Sequence, residues 1–254
     1  MIALLGNLSR DFLPNLPPRT GGGPFHAARA LKHLDVQALL VTRCADEDRA
    51  ELLPPLVALG SAVQCLPGAS TASFEMSYEG DHRQMTVRAI GDTWLPADVS
   101  TLPDEARWVH VSPLVRSDFP AETLAAIARG RRLSFDGQGL VRPSRTGRLE
   151  LDADFDPEVL RHVWVLKLSE EEAAVVGDPA GLGVREVLLT HGSRGATVYA
   201  DGRAEHVPAF EIGGDPTGAG DAFSISYLAA RSTGFAPAAA ARRATAVVAS
   251  MLSE

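Results

Sequence analysis

The feature that most constrains this chain is a rhythm in which short apolar runs alternate with stretches of helical spacing. The apolar runs fall at residues 2–5, 37–42, 63–66, 108–112, 133–136, 163–168 and 187–190. Between them, residues 25–34, 121–129 and 169–176 place apolar side chains on one helical face. Residues 49–59 do the same, but Pro54-Pro55 predicts a kinked or late-starting helix there. Strand followed by helix, repeated, predicts a mostly parallel sheet covered on both faces, a three-layer α/β/α arrangement. In such sheets ligands collect beyond the carboxyl ends of the strands. The loops that follow the apolar runs are therefore where function is to be sought.

One stretch breaks the rhythm. Residues 71–90 alternate in the β manner, with Phe74, Met76, Tyr78, Met85 and Val87 on one side and a turn at Glu79-Gly80-Asp81-His82. An antiparallel hairpin inside a βα alternation predicts a lid or a contact with a second copy of the chain as a homodimer, with the proline-rich 12–20 segment as a minor addition. Nothing else suggests a second domain, so residues 1–254 read as one domain with this excursion. With 45% hydrophobic and 22% charged residues, the chain can bury one sizeable core. Its net charge of −8 argues against a nucleic-acid-binding surface. Cys44 and Cys65 lack metal-ligand spacing and read as reduced thiols. The apolar run at the N-terminus is too short for a membrane span or a signal peptide, which predicts a cytoplasmic protein.

The chemistry concentrates at Gly213-Gly214-Asp215-Pro216-Thr217-Gly218-Ala219-Gly220-Asp221-Ala222-Phe223, after which the sequence turns helical as far as Arg231. A glycine-rich turn opening a helix leaves backbone N–H groups facing outward, and the helix dipole adds partial positive charge. Such a place suits a phosphate or a developing anion. The same field is expected to keep Asp221 ionised, as a base requires, although a helix cap explains an aspartate there equally well.

Taken in order, these segments resemble the ribokinase (PfkB) family of carbohydrate and nucleoside kinases. Residues Asp215 to Phe223 resemble the family's Asp-Thr-x-Gly-Ala-Gly-Asp-x-Phe signature, with Pro216 as a variant. Gly6-Asn7-Leu8-Ser9-Arg10-Asp11 resembles its first-strand exit, and Gly21-Gly22 with Ala27-Ala28 its Gly-Gly substrate loop. Ser169 to Glu172 resembles its Asn-x-x-Glu segment, and Thr190-His191-Gly192-Ser193-Arg194-Gly195 its nucleotide loop. The resemblance implies a ribokinase-like fold and transfer of the γ-phosphoryl group of ATP, with Mg²⁺, to an alcohol of a sugar, polyol or nucleoside. It implies Asp221 as general base and the backbone of Gly218, Ala219 and Gly220 as the anion hole. Asp11, Gly21, Gly22 and His26 would meet the acceptor. Thr190, Gly192, Gly195 and Arg194 would border the nucleotide, and Glu172 would meet the metal through water. Gln138 and Arg142, after Asp136, are minor candidates at the same sheet edge.

Three positions depart from the family: Ser169 and His26 where it has asparagine, and Arg243 where it often has an asparagine beside adenine. They keep open a second reading, a catalytically weak or inactive sugar- or nucleotide-binding relative. Ser169 and Glu172 also form a capping box, which explains both residues structurally. A P-loop ATPase is disfavoured by the lack of a Gly-x-x-x-x-Gly-Lys-Ser/Thr motif. A dinucleotide-dependent oxidoreductase is disfavoured by the lack of Gly-x-Gly-x-x-Gly after the first strand.

Overall fold

A computed structural model of the chain describes residues 1–79, 82–210 and 217–253. The expected turn at Gly80-Asp81 and residues 213–216 of the glycine-rich stretch lie outside the described residues. The first half of the chain contains β1 (Ile2–Asn7), β2 (Ser9–Phe12), β3 (Arg19–Gly21), α1 (Gly23–His33), β4 (Ala38–Arg43), α2 (Arg49–Val57), β5 (Ala62–Leu66), β6 (Ala72–Glu79), β7 (His82–Ala89) and β8 (Trp108–Val111). Next come α3 (Ala121–Ala128), β9 (Arg132–Asp136), α4 (Gln138–Val141), β10 (Gly147–Arg148), β11 (Val165–Ser169) and α5 (Glu170–Val176). The last elements are β12 (Glu186–Thr190), β13 (Ala196–Ala200), β14 (Arg203–Val207), α6 (Ala219–Ser232) and α7 (Pro237–Leu252).

Nine strands form the main sheet in the order β14-β13-β12-β11-β9-β8-β1-β4-β5. From β12 to β5 every pairing is parallel, and β13 and β14 add an antiparallel edge. Alternation along β1 divides the core into two layers. Ile2 and Leu4 pack with Leu31 of α1, Leu228 of α6 and Ala244 of α7. Ala3 and Leu5 pack on the opposite face with Leu124 and Ile127 of α3. In α2 the helix runs through Pro54 and Pro55 rather than starting after them. It ends at Val57, so each proline forfeits one helical bond near the end, while Leu52 and Leu56 stay buried.

The expected hairpin, β6 with β7, is part of a larger unit. A five-stranded sheet runs β10-β7-β6-β2-β3, with β2 parallel to β6. β3 is only three residues long, too short to show alternation, so the sequence left residues 19–21 without an assignment. Only Leu8 separates β1 from β2, so Asp11 is carried from the carboxyl end of the main sheet onto the small one. The apolar face that suggested a second subunit is covered by the chain itself: Phe74 and Val87 pack with Leu114 and Val115, and Met85 and Leu149 join them. The opposite face carries an ion pair between Arg88 and Glu75 at 3.1 Å. Both cysteines are free thiols.

Candidate active site

The carboxyl ends of β1, β9 and β11 converge beneath the start of α6. Gly218 caps that helix with φ of 80°, a left-handed conformation that favours glycine. A side chain there would also collide with His26, whose Nδ1 lies 2.5 Å from the Cβ position. Ala222 donates the first helical hydrogen bond to the Gly218 carbonyl at 2.9 Å. The amides of Ala219, Gly220 and Asp221 therefore have no partner within the helix, and a helix start of this kind is chemically suited to an anion.

Two cavities meet at this turn. One, of about 210 Å³, is lined by Thr190, Gly192, Gly195, Ala219, Gly220 and Phe223, and by Thr245, Val248, Ala249 and Leu252 of α7. The other, of about 290 Å³, is lined by Asp11, Gly22, His26, Phe74, Met76, Gln138 and Arg142. Lys167, Glu172, Gly218, Gly220 and Asp221 complete it. Gly220 borders both cavities.

Charges in the second cavity are held in a definite pattern. Lys167 is buried with its Nζ 3.4 Å from Asp136 and 3.7 Å from Glu172. Burial opposes its charge, but Asp136, Glu172 and Asp221 more than compensate and hold it as an ammonium. Asp136 also accepts from the Gln138 amide at 3.1 Å, and Asp11 accepts from Ser9 Oγ at 2.7 Å. Asp221 is half-buried as a residue, yet its Oδ1 is shut off from solvent and has no hydrogen-bond partner among the described residues. Withdrawal from water, reinforced by the Asp136 charge, pushes Asp221 up to about 7 against the pull of Lys167 and Arg142. This corrects the expectation that the helix field keeps it ionised: burial outweighs that field. The carboxylate is poised near neutrality, where a base can both take and release a proton.

Most residues named from sequence line one of the two cavities. Gly21 does not line either cavity; it packs directly against the Asp11 carboxylate, where a side chain has no room. Arg194 is also outside the first cavity: it grips Glu170 through two contacts of 2.6 Å, and Glu170 in turn binds His191 at 2.9 Å. Ser169 and Glu172 form the capping box of α5. The Glu172 amide donates to Ser169 Oγ at 3.2 Å, and the Ser169 amide donates to Glu172 Oε2 at 2.8 Å. Arg243 stacks on Phe235, 4.6 Å from its ring centre, and is not part of the cavity wall. The sequence reading assigned no role to Lys167, although a lysine in the middle of an apolar strand is a signal, because such a residue is buried only when paired. It also missed the α7 wall, whose residues look like ordinary helix packing.

The chain belongs to the pfkB family of carbohydrate kinases, whose family model matches residues 85–254. It is 29% identical over 235 residues to the cytidine kinase of Thermococcus kodakarensis, covering 84% of this chain and 81% of that enzyme. It is 33% identical over 157 residues to the inositol 3-kinase of Zea mays, a match spanning 59% of this chain and 40% of the maize enzyme. Its fold is ribokinase-like. A pyrophosphate-dependent kinase of the ribokinase family superimposes with a TM-score of 0.88 at 24% identity, over 99% of this chain and 95% of that one.

Proposed function

We propose that the protein transfers the γ-phosphoryl group of ATP to a hydroxyl of a small polyol, sugar or nucleoside, a primary hydroxyl being the expected acceptor. The observation that carries this reading is the pair of cavities sharing Gly220, one apolar and one charged, with Asp221 on the charged side. Phosphoryl transfer needs in-line positioning and stabilisation of negative charge. The amides at the start of α6 supply donors at the junction, and the acceptor's hydroxyl would enter from the Asp11 side. Asp221 accepts the hydroxyl proton as the oxygen bonds to phosphorus, the bond to ADP breaks, and the proton later passes to water. Asp11, which accepts from Ser9 Oγ and lines the same cavity, would meet an acceptor hydroxyl.

The apolar cavity favours a nucleotide over pyrophosphate as donor. A surface built from Phe223, Val248, Ala249 and Leu252 suits the faces of a base and offers nothing to a bare phosphate. Among the described residues no group of three or more His, Cys, Asp or Glu side chains is placed to hold a metal. That fits Mg²⁺, which keeps several waters and travels with the phosphates. Glu172 would meet it through water, and the ion would offset phosphate charge. The three departures from the family fall on positions with structural tasks, in the α5 cap, under Gly218 and on Phe235. They give no support to a non-catalytic reading. Among the described residues no helix is long and apolar enough to cross a membrane, and we place the reaction in the cytoplasm, where ATP is available and thiols stay reduced.

The test is a panel of myo-inositol, ribose, fructose, cytidine and inosine, incubated with Mg²⁺ and either ATP or pyrophosphate. Product formation is read by the mass gain of one phosphoryl group. ATP-dependent phosphorylation of at least one acceptor is expected. Turnover with pyrophosphate but not with ATP, or with neither donor on any acceptor, contradicts the reading.

A further inference from the structure

The charged half of the cleft contains two side-chain cations with different surroundings. Lys167 is committed to Asp136 and Glu172. Arg142 is half-buried in the same wall, and among the described residues its guanidinium has neither a hydrogen bond nor an ion pair. Its backbone is fixed: the Arg142 amide donates to Gln138 at 3.0 Å, and its carbonyl accepts from Arg116 at 2.9 Å. Arg116 is itself anchored to the Leu140 carbonyl at 2.9 Å and to Asp152. The segment thus fixes the base of a guanidinium with five N–H donors in the wall of a pocket that has carboxylates; it feels the Asp221 charge, yet among the described residues it hydrogen-bonds none of them. A guanidinium in a partly desolvated wall gains most from a planar or tetrahedral oxyanion, which it holds with two parallel hydrogen bonds.

We infer that Arg142 binds an anionic oxygen group within the acceptor half of the cleft. That group is either the phosphoryl in transfer or an acidic substituent, carboxylate or phosphate, carried by the acceptor. The inference rests on the reading of the cleft as a phosphotransfer site, so one arm of its test does not depend on turnover. Inorganic phosphate is titrated calorimetrically into the wild type, Arg142→Gln and Arg142→Lys, with thermal unfolding as a check that each variant is folded. Phosphate affinity is expected to fall roughly 10–100-fold in Arg142→Gln, with partial recovery in Arg142→Lys, because a charged donor pair is lost and then replaced by a point charge.

In the second arm, kinetics on neutral polyols and on sugar acids or sugar phosphates distinguish the two sources of the anion. A fall in kcat on every acceptor assigns Arg142 to the transferred phosphoryl. A rise in KM confined to anionic acceptors assigns it to an acidic substituent of the acceptor. No phosphate binding by the wild type, or unchanged phosphate affinity in Arg142→Gln, overturns the inference.

Discussion

The two halves of the cleft differ in how they are built. The apolar half is a wall of side chains from α6 and α7, helices packed against each other over the main sheet, and it presents carbon. The charged half gathers Asp11, Asp136, Lys167, Glu172 and Asp221 where strand ends meet. Carbon can be left exposed to a ligand at little risk, whereas buried charge is unfavourable unless it is paired. Accordingly Lys167 is shared by two carboxylates, Asp11 is held by Ser9 and Glu172 caps α5. What this pairing leaves over is informative. Asp221 Oδ1 and the Arg142 guanidinium line the same cavity without hydrogen bonds among the described residues, and on the proposed reading they would meet a substrate.

Changes confined to one half should separate the two. Asp221→Asn removes the proton acceptor, so kcat should fall by about 10²–10⁴-fold, while ATP binding measured by calorimetry persists. Lys167→Met leaves Asp136 and Glu172 without their counter-charge and should destabilise the fold by about 3–5 kcal/mol in denaturant unfolding. No loss of stability there would show that the carboxylates do not need the lysine. Val248→Asp places a charge in the apolar wall and should raise the KM for ATP roughly tenfold, with the KM for the acceptor little changed. If both constants move together, the two cavities are not separate sites. The smallest effect is expected from Ser169→Ala, which removes one cap and should lower stability by about 1 kcal/mol in thermal unfolding. A large drop in kcat with stability unchanged would instead place the Ser169 and Glu172 pair at the metal.

The layered fold was legible because alternation in β1 and the recurrence of strand and helix are properties of local sequence. Gly218 and Asp221 were legible for the same reason, as a glycine turn and a helix start are local. The five-stranded sheet was only half visible: β6 and β7 alternate over eight residues each, while β3 gains its identity by pairing with β2. The α7 wall was hidden because Val248 and Leu252 have helical spacing whether they face a core or a cavity. The commitment of Arg194 to Glu170 and of Lys167 to two carboxylates depends on residues brought together from separate loops and strands. No spacing rule encodes that. The state of Asp221 was misjudged for a related reason, since the helix field is read from its own element and its burial among Asp136 and Glu172 is not.

The central claim is that Asp221, held near neutrality by burial, takes the acceptor's proton. The pH dependence of kcat/KM for a phosphorylated acceptor tests it most directly. The base must be ionised to work, so the rate should climb as pH rises through about 7, where burial places Asp221, and then level off. An acid limb at the ordinary carboxylate position near 4, or a profile with no limb between these values, would contradict it.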